Sequence, residues 1–93
     1  MKIYRVDSSV EERPDGELSL EEAQEIVGGW IEAVTLKRGL LALMDEEGGP
    51  SLKNLPFNLE ATMEVDELTP PNVSHRLYGT VIILRQKDFG YDD

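Results

Sequence analysis

The chain has 93 residues, the size of one compact domain, and its lack of cysteine rules out disulfides, thiolate metal sites and cysteine nucleophiles. Nineteen acidic residues against nine basic ones leave a formal net charge of −10, which repels phosphate backbones and argues against direct nucleic-acid binding. The longest apolar run, Val81-Ile82-Ile83-Leu84, falls far short of the roughly 20 residues that cross a bilayer, so no membrane span is expected.

Lys2-Ile3-Tyr4-Arg5-Val6 alternates charged with apolar or aromatic side chains, the period of a strand with one buried face. No apolar stretch of signal-peptide length follows Met1, so cytoplasmic residence is the expectation. Residues 7–17 are polar and include Pro14-Asp15-Gly16, in which Pro presets one dihedral and Gly accepts a positive one; they predict a surface loop. Ser19-Leu20-Glu21-Glu22 has the form of a capping box, with the Ser19 hydroxyl and the Glu22 carboxylate each serving the other's amide. Leu20, Ala23, Ile26 and Val27 recur at helical spacing, opposite Glu21, Glu22 and Glu25. Gly28 suits a left-handed cap, so the spacing predicts a helix over residues 20–27.

Residues 30–36 are rich in β-formers and predict a strand. Lys37-Arg38-Gly39 makes a tight connection to a second, more continuously apolar strand over residues 40–44, and the two form a hairpin. Asp45-Glu46-Glu47-Gly48-Gly49-Pro50 has turn chemistry. Leu52, Leu55 and Phe57 then pin an irregular segment. Asn58 is expected to cap a short helix to about residue 64, with Leu59, Thr62 and Met63 facing inward; Thr62 and Val65 would also suit a strand. Thr69-Pro70-Pro71-Asn72 breaks that element. Residues 77–84 are apolar on both faces, which places them inside a sheet.

The pattern predicts a single domain over residues 1–93, with a core over residues 1–86 and a frayed tail over residues 87–93. The fold class is α+β: a small, mostly antiparallel sheet with one or two helices on one face, in the order β-α-β-β-α-β. A ferredoxin-like split arrangement is one realisation of that order.

The run Glu22-Ala23-Gln24-Glu25-Ile26-Val27-Gly28-Gly29-Trp30-Ile31-Glu32 resembles the signature of a domain-of-unknown-function family carried by bacteriophages, plasmids and bacterial genomes. That pattern is a short helix, then Val-Gly-Gly, an aromatic residue, Ile and Glu. Its later blocks correspond to Asp45-Glu46-Glu47-Gly48, Leu55-Pro56, Asn58 and Gly79-Thr80-Val81-Ile82, with Asp45 standing where the family more often has Asn. The resemblance spans roughly residues 3–84. It implies no activity, only a phage or mobile-element setting in which small acidic proteins bind a host protein or defence component.

Each candidate residue has a structural reading beside the functional one. Gly28 and Gly29 would let a ligand approach the backbone, but they follow a helix where anion-binding glycines precede one, so helix stop and strand entry is the expectation. Trp30 is expected in the core or half-buried; the alternative is a platform for a partner. Glu32 is expected on a solvent face unless paired with Arg5 or Arg85. Asp45, Glu46 and Glu47 lack the spacing of a calcium loop and predict an exposed turn, so no metal site is expected. His75 is the only histidine and is expected at the surface; Ser74 beside it makes no triad by adjacency. Asn58 is expected to cap a helix, and Ser19, Glu22, Gly28, Gly29 and Gly79 to serve structure.

No phosphate loop, nucleophile elbow or metalloprotease motif is present, and no cofactor is expected. The leading expectation is a small acidic non-enzymatic binding or modulator protein acting on a host or phage protein, with Trp30, Glu32, residues 45–47 and Asn58 near its surface of action. Two alternatives stand beside it. One is a small-ligand, nucleotide-like binder; the other is a mimic of the nucleic-acid backbone using Glu11, Glu12, Glu17, Glu21 and Glu25. A simply well-solvated acidic surface is the leading account of the charge, with adaptation to a salty cytoplasm and backbone mimicry as its rivals. A homodimer suits so short a domain, which gains buried area by pairing.

Overall fold

The computed structural model describes residues 1–90 of the chain. In chain order the elements are β1 (Lys2–Tyr4), β2 (Val10–Glu12), β3 (Leu18–Ser19), α1 (Leu20–Val27), β4 (Ile31–Thr35), β5 (Leu40–Asp45), α2 (Leu59–Glu67), β6 (Val81–Arg85) and β7 (Phe89–Gly90). Single 3-10 turns occupy Lys37–Gly39 and Gln86–Asp88. The main sheet runs β2-β1-β6-β5-β4, antiparallel at every pairing. The α+β class with an antiparallel sheet is therefore as expected.

The two helices do not share a face. Along β5 and β6 successive side chains point to opposite sides. Ala42, Met44, Val81 and Ile83 pack with Ala61 and Val65 of α2, whereas Leu41, Leu43, Ile82 and Leu84 pack with Ala23 and Val27 of α1. Central strands apolar on both sides need cover on both sides, and each helix supplies one. The split β-α-β arrangement also differs from what forms. It needs parallel strands on either side of a helix, but β1 and β4, which flank α1, run in opposite directions through β6 and β5.

Local expectations fare unevenly. Helix α1 begins with both bonds of the capping box, the Ser19 hydroxyl accepting from the Glu22 amide at 3.1 Å and the Glu22 carboxylate accepting from the Ser19 amide at 3.2 Å. It stops at Gly28 with φ 89°. The polar stretch at residues 7–17 hides strand β2, which turns back on β1 around Ser8. Its carboxylates masked the pattern, because Glu11 is held by Arg5 at 2.8 Å and by Arg13 at 2.5 Å.

Helix α2 runs beyond the expected end, to Glu67, and buries Ala61, Thr62 and Val65. Leu59 and Met63, expected to face inward, are each 55% exposed. Thr62 takes the inward position because its hydroxyl accepts from the Leu77 amide at 3.1 Å. The expected tail is also partly ordered. Arg85 donates twice to Asp88, at 2.6 and 3.2 Å, which fixes the turn and returns Phe89 to pair parallel with Leu18. Phe89 is buried, so residues 87–90 belong to the fold; the rest of the expected tail, residues 91–93, lies outside the described residues. Among the described residues no helix is long and apolar enough to cross a membrane.

Candidate functional site

The end of α1 and the end of β5 meet at one place. Gly28 donates its N–H to the Gln24 carbonyl at 2.7 Å and turns the chain left-handed. Gly29 then passes directly over Asp45, and the Trp30 carbonyl accepts from the Glu46 amide at 3.0 Å. Two segments well separated in sequence are thereby laced together just ahead of the β4–β5 ladder.

Asp45 was expected in an exposed turn; instead its side chain is 1% exposed. The register pairing Ile31 with Asp45 makes it the last residue of β5, beneath Gly29, so the acidic turn begins one residue later. Its carboxylate is fully engaged. Oδ1 accepts from the Glu47 amide at 2.8 Å, and Oδ2 accepts from Lys53 Nζ at 2.7 Å. Burial acts to raise the Asp45 pKa, but the Lys53 bond and the Glu47 amide outweigh it and hold the carboxyl below its ordinary range. The bond to Asp45 correspondingly raises the Lys53 ammonium.

Lys53 reaches this position because the loop after β5 folds back on itself. The Lys53 amide donates to the Glu47 carbonyl at 3.0 Å and the Leu55 amide to the Gly48 carbonyl at 3.0 Å. A groove of about 320 Å³ results, lined by Gln24, Gly29, Trp30, Glu47 and Lys53. Trp30, expected in the core or half-buried, is 65% exposed. The interior faces of the sheet are already filled by β5 and β6 side chains, and the strand proper starts only at Ile31. The groove thus offers an aromatic surface, an amide, a carboxylate and an ammonium within one concave patch.

The other candidates sort differently. Glu32 is exposed on β4 opposite Met44, and Arg5 and Arg85 are engaged elsewhere, by Glu11 and Asp88. It lines a separate groove of about 200 Å³ with Glu46 and Arg76. Asn58 is buried and structural. Its Oδ1 caps α2 through the Ala61 amide at 3.1 Å, and its Nδ2 donates to the carbonyls of Tyr4 and Gly79, each at 2.9 Å. Gly79, at φ 81°, lies against Leu55, which a Cβ would approach to 2.8 Å. His75, expected at the surface, is partly covered, its amide donating to Asp66 Oδ1 at 3.1 Å. Among the described residues no group of three or more His, Cys, Asp or Glu could hold a metal ion.

Reasoning from sequence missed Lys53 and Gln24. Lys53 did leave a signal, since it is the only Lys or Arg between Arg38 and Arg76, in a stretch rich in carboxylates. A buried aspartate there would need it. Gln24 left none, being one polar residue among several on α1.

Compared with known proteins, residues 1–92 match a family described as Domain of unknown function (DUF3846). No curated protein and no solved structure matches the chain.

Proposed function

We propose, for a chain that belongs to the DUF3846 family of unknown function, a non-enzymatic binding role in which the Trp30 groove docks a partner protein. The observation that carries this reading is the exposure of the only tryptophan on a rigid base. Trp30 is 65% exposed while its backbone is held by Glu46 and its neighbour Gly29 is packed on the Asp45–Lys53 pair. Exposed aromatic side chains on preorganised backbone are the usual energetic centres of protein interfaces, because little conformational freedom is lost on binding. The net charge of −10 steers such an encounter toward a basic partner surface. A host protein or defence component, met in a phage or mobile-element setting, is the partner this reading assigns.

The test is affinity capture with the wild-type chain against Trp30→Ala and Glu46→Ala. Capture of the same partner should fall at least tenfold with Trp30→Ala, and the emission of this single tryptophan should shift when the partner is added. Equal capture by all three proteins would remove the reading.

The groove volume of about 320 Å³ supports a second reading, a small planar ligand stacked on Trp30 and paired with Lys53. A thermal-shift screen with nucleotides separates the two, since only a ligand site gives saturable stabilisation without protein.

A further inference from the structure

The two edges of the main sheet are built differently. One is β2, three residues long and carrying Glu11 and Glu12, with Glu11 bridged to Arg5 and Arg13. Short, charged edges of this kind resist further pairing. The other is β4, five residues reading Ile31-Glu32-Ala33-Val34-Thr35, with no proline, no lysine and a single carboxylate.

The hydrogen-bond phase of β4 follows from its ends. The Glu46 amide donates to the Trp30 carbonyl, and the Leu36 amide donates to the Leu40 carbonyl. In the register that pairs Ile31 with Asp45 and Thr35 with Leu41, those bonds place Trp30, Glu32, Val34 and Leu36 in the hydrogen-bonded positions facing β5. The N–H and C=O groups of Ile31, Ala33 and Thr35 therefore point away from the sheet, and none of these three amides donates to another described residue. The open window ends at Lys37, whose amide donates to the Leu68 carbonyl at 2.8 Å.

We infer that β4 pairs antiparallel with β4 of a second copy of this chain, on a two-fold axis through Ala33, joining the two sheets into one. The window is symmetric about that residue. Ala33 faces the partner's Ala33, Ile31 faces the partner's Thr35, and each outward amide meets an outward carbonyl. Glu32 falls opposite the partner's Val34, so the one carboxylate on the strand avoids its own copy; like charges directly opposite would destabilise the pair. The ends are complementary as well. Antiparallel pairing brings the exposed Lys37-Arg38 hairpin tip of each copy toward the end of the other where Glu46 and Glu47 sit. Charge complementarity at the ends and its absence along the strand select a second copy over an arbitrary peptide.

The tip of the second copy would lie beside Glu47, which lines the Trp30 groove, so the test uses the chain alone and reads oligomeric state instead of capture. Sedimentation at 10–200 µM (roughly the range that exposes weak dimers) should show a dimer mass for the wild type. Ala33→Pro removes an N–H that faces solvent in the monomer, a substitution an edge strand tolerates, and it blocks the incoming strand. Ala33→Lys guards the edge in a different way. Each should weaken the dimer roughly tenfold or more while leaving the far-ultraviolet spectrum unchanged. The chain has no native cysteine, so single thiols report the register. Ala33→Cys should cross-link under oxidation, and Thr35→Cys should not, because two Thr35 residues would lie about 13 Å apart. A monomeric wild type, a dimer that survives both Ala33 variants, or cross-linking at Thr35 but not at Ala33 would overturn the inference.

Discussion

A Cβ placed on Gly29 would stand 2.5 Å from Asp45 Oδ2 and 2.6 Å from Lys53 Nζ. No side chain fits there without displacing the ion pair of the buried Asp45 carboxylate with the partly exposed Lys53, so the second glycine of the pair is required by close approach and not by its own backbone angles. Gly28 differs, since open space surrounds it and only its φ of 89° favours glycine. The two neighbours should therefore respond differently to the same change. Gly29→Ala is expected to cost about 1–3 kcal/mol from overpacking, and Gly28→Ala about 1 kcal/mol from the left-handed conformation. Urea unfolding of both variants checks this. In an Asp45→Ala background the Gly29→Ala penalty should shrink, because the atom it strikes is gone, while the Gly28→Ala penalty should not.

The same carboxylate makes stability depend on pH in a definite direction. The folded state holds the Asp45 pKa below its unfolded value, because the Lys53 and Glu47 bonds favour the charged form more than burial opposes it. Its contribution is therefore complete above about pH 4, the ordinary aspartate range, and is lost as pH falls through the lower folded value. Asp45→Asn should lower Tm at pH 7 by about 5–10 °C. That difference from wild type should narrow steadily as pH falls below about 4. Melting curves at matched ionic strength measure it, and a difference that stays constant or widens in acid would show that Asp45 is not charged in the fold.

Asn58 joins three elements through one amide. It caps α2 and ties Tyr4 of β1 to Gly79 ahead of β6. Asn58→Ala removes the cap and leaves two buried carbonyls without their donor, for an expected loss of about 2–4 kcal/mol. Asn58→Asp keeps the capping oxygen but not the donors. If the ties to the sheet dominate, it should recover little of that loss at pH 7; recovery of most of it would assign the residue to capping alone.

Elements decided by short-range chemistry could be read from the sequence. Ser19 and Glu22 name the start of α1 and Gly28 its end, because both rest on bonds within a few residues. The Arg38-Gly39 tip marked the β4–β5 hairpin for the same reason. What could not be read depended on partners far along the chain. Leu59 and Met63 look inward by hydrophobicity, yet the sheet beneath α2 is met by Ala61 and Val65, and Thr62 is drawn in by the distant Leu77 amide. Two consecutive buried faces on β5 and β6 were visible as unbroken apolar runs, and they carried the information that helices must cover both sides. At the site, sequence alone assigns Asp45 to the exposed turn because the strand's last residue and the turn's first are both acidic. Only the lone Lys53 hinted that one of them was buried.

The closing strand gives the last prediction. Phe89 is buried in the same cluster as Leu18, Ala23, Leu41 and Ile82, on the face covered by α1. Arg85 and Asp88 set the turn that delivers it, and β7 then lies parallel to β3 at the entrance to α1. Removing the ring opens a cavity beside the helix start, so Phe89→Ala should destabilise the domain by about 2–4 kcal/mol. Leu59→Ala and Met63→Ala, equally apolar but facing solvent, should each stay within about 0.5 kcal/mol of wild type. Denaturant titrations of the three variants place them on one scale. A Phe89→Ala change as mild as the two helix variants would mean that residues 87–90 contribute little to the core and that α1 is held by its sheet contacts alone.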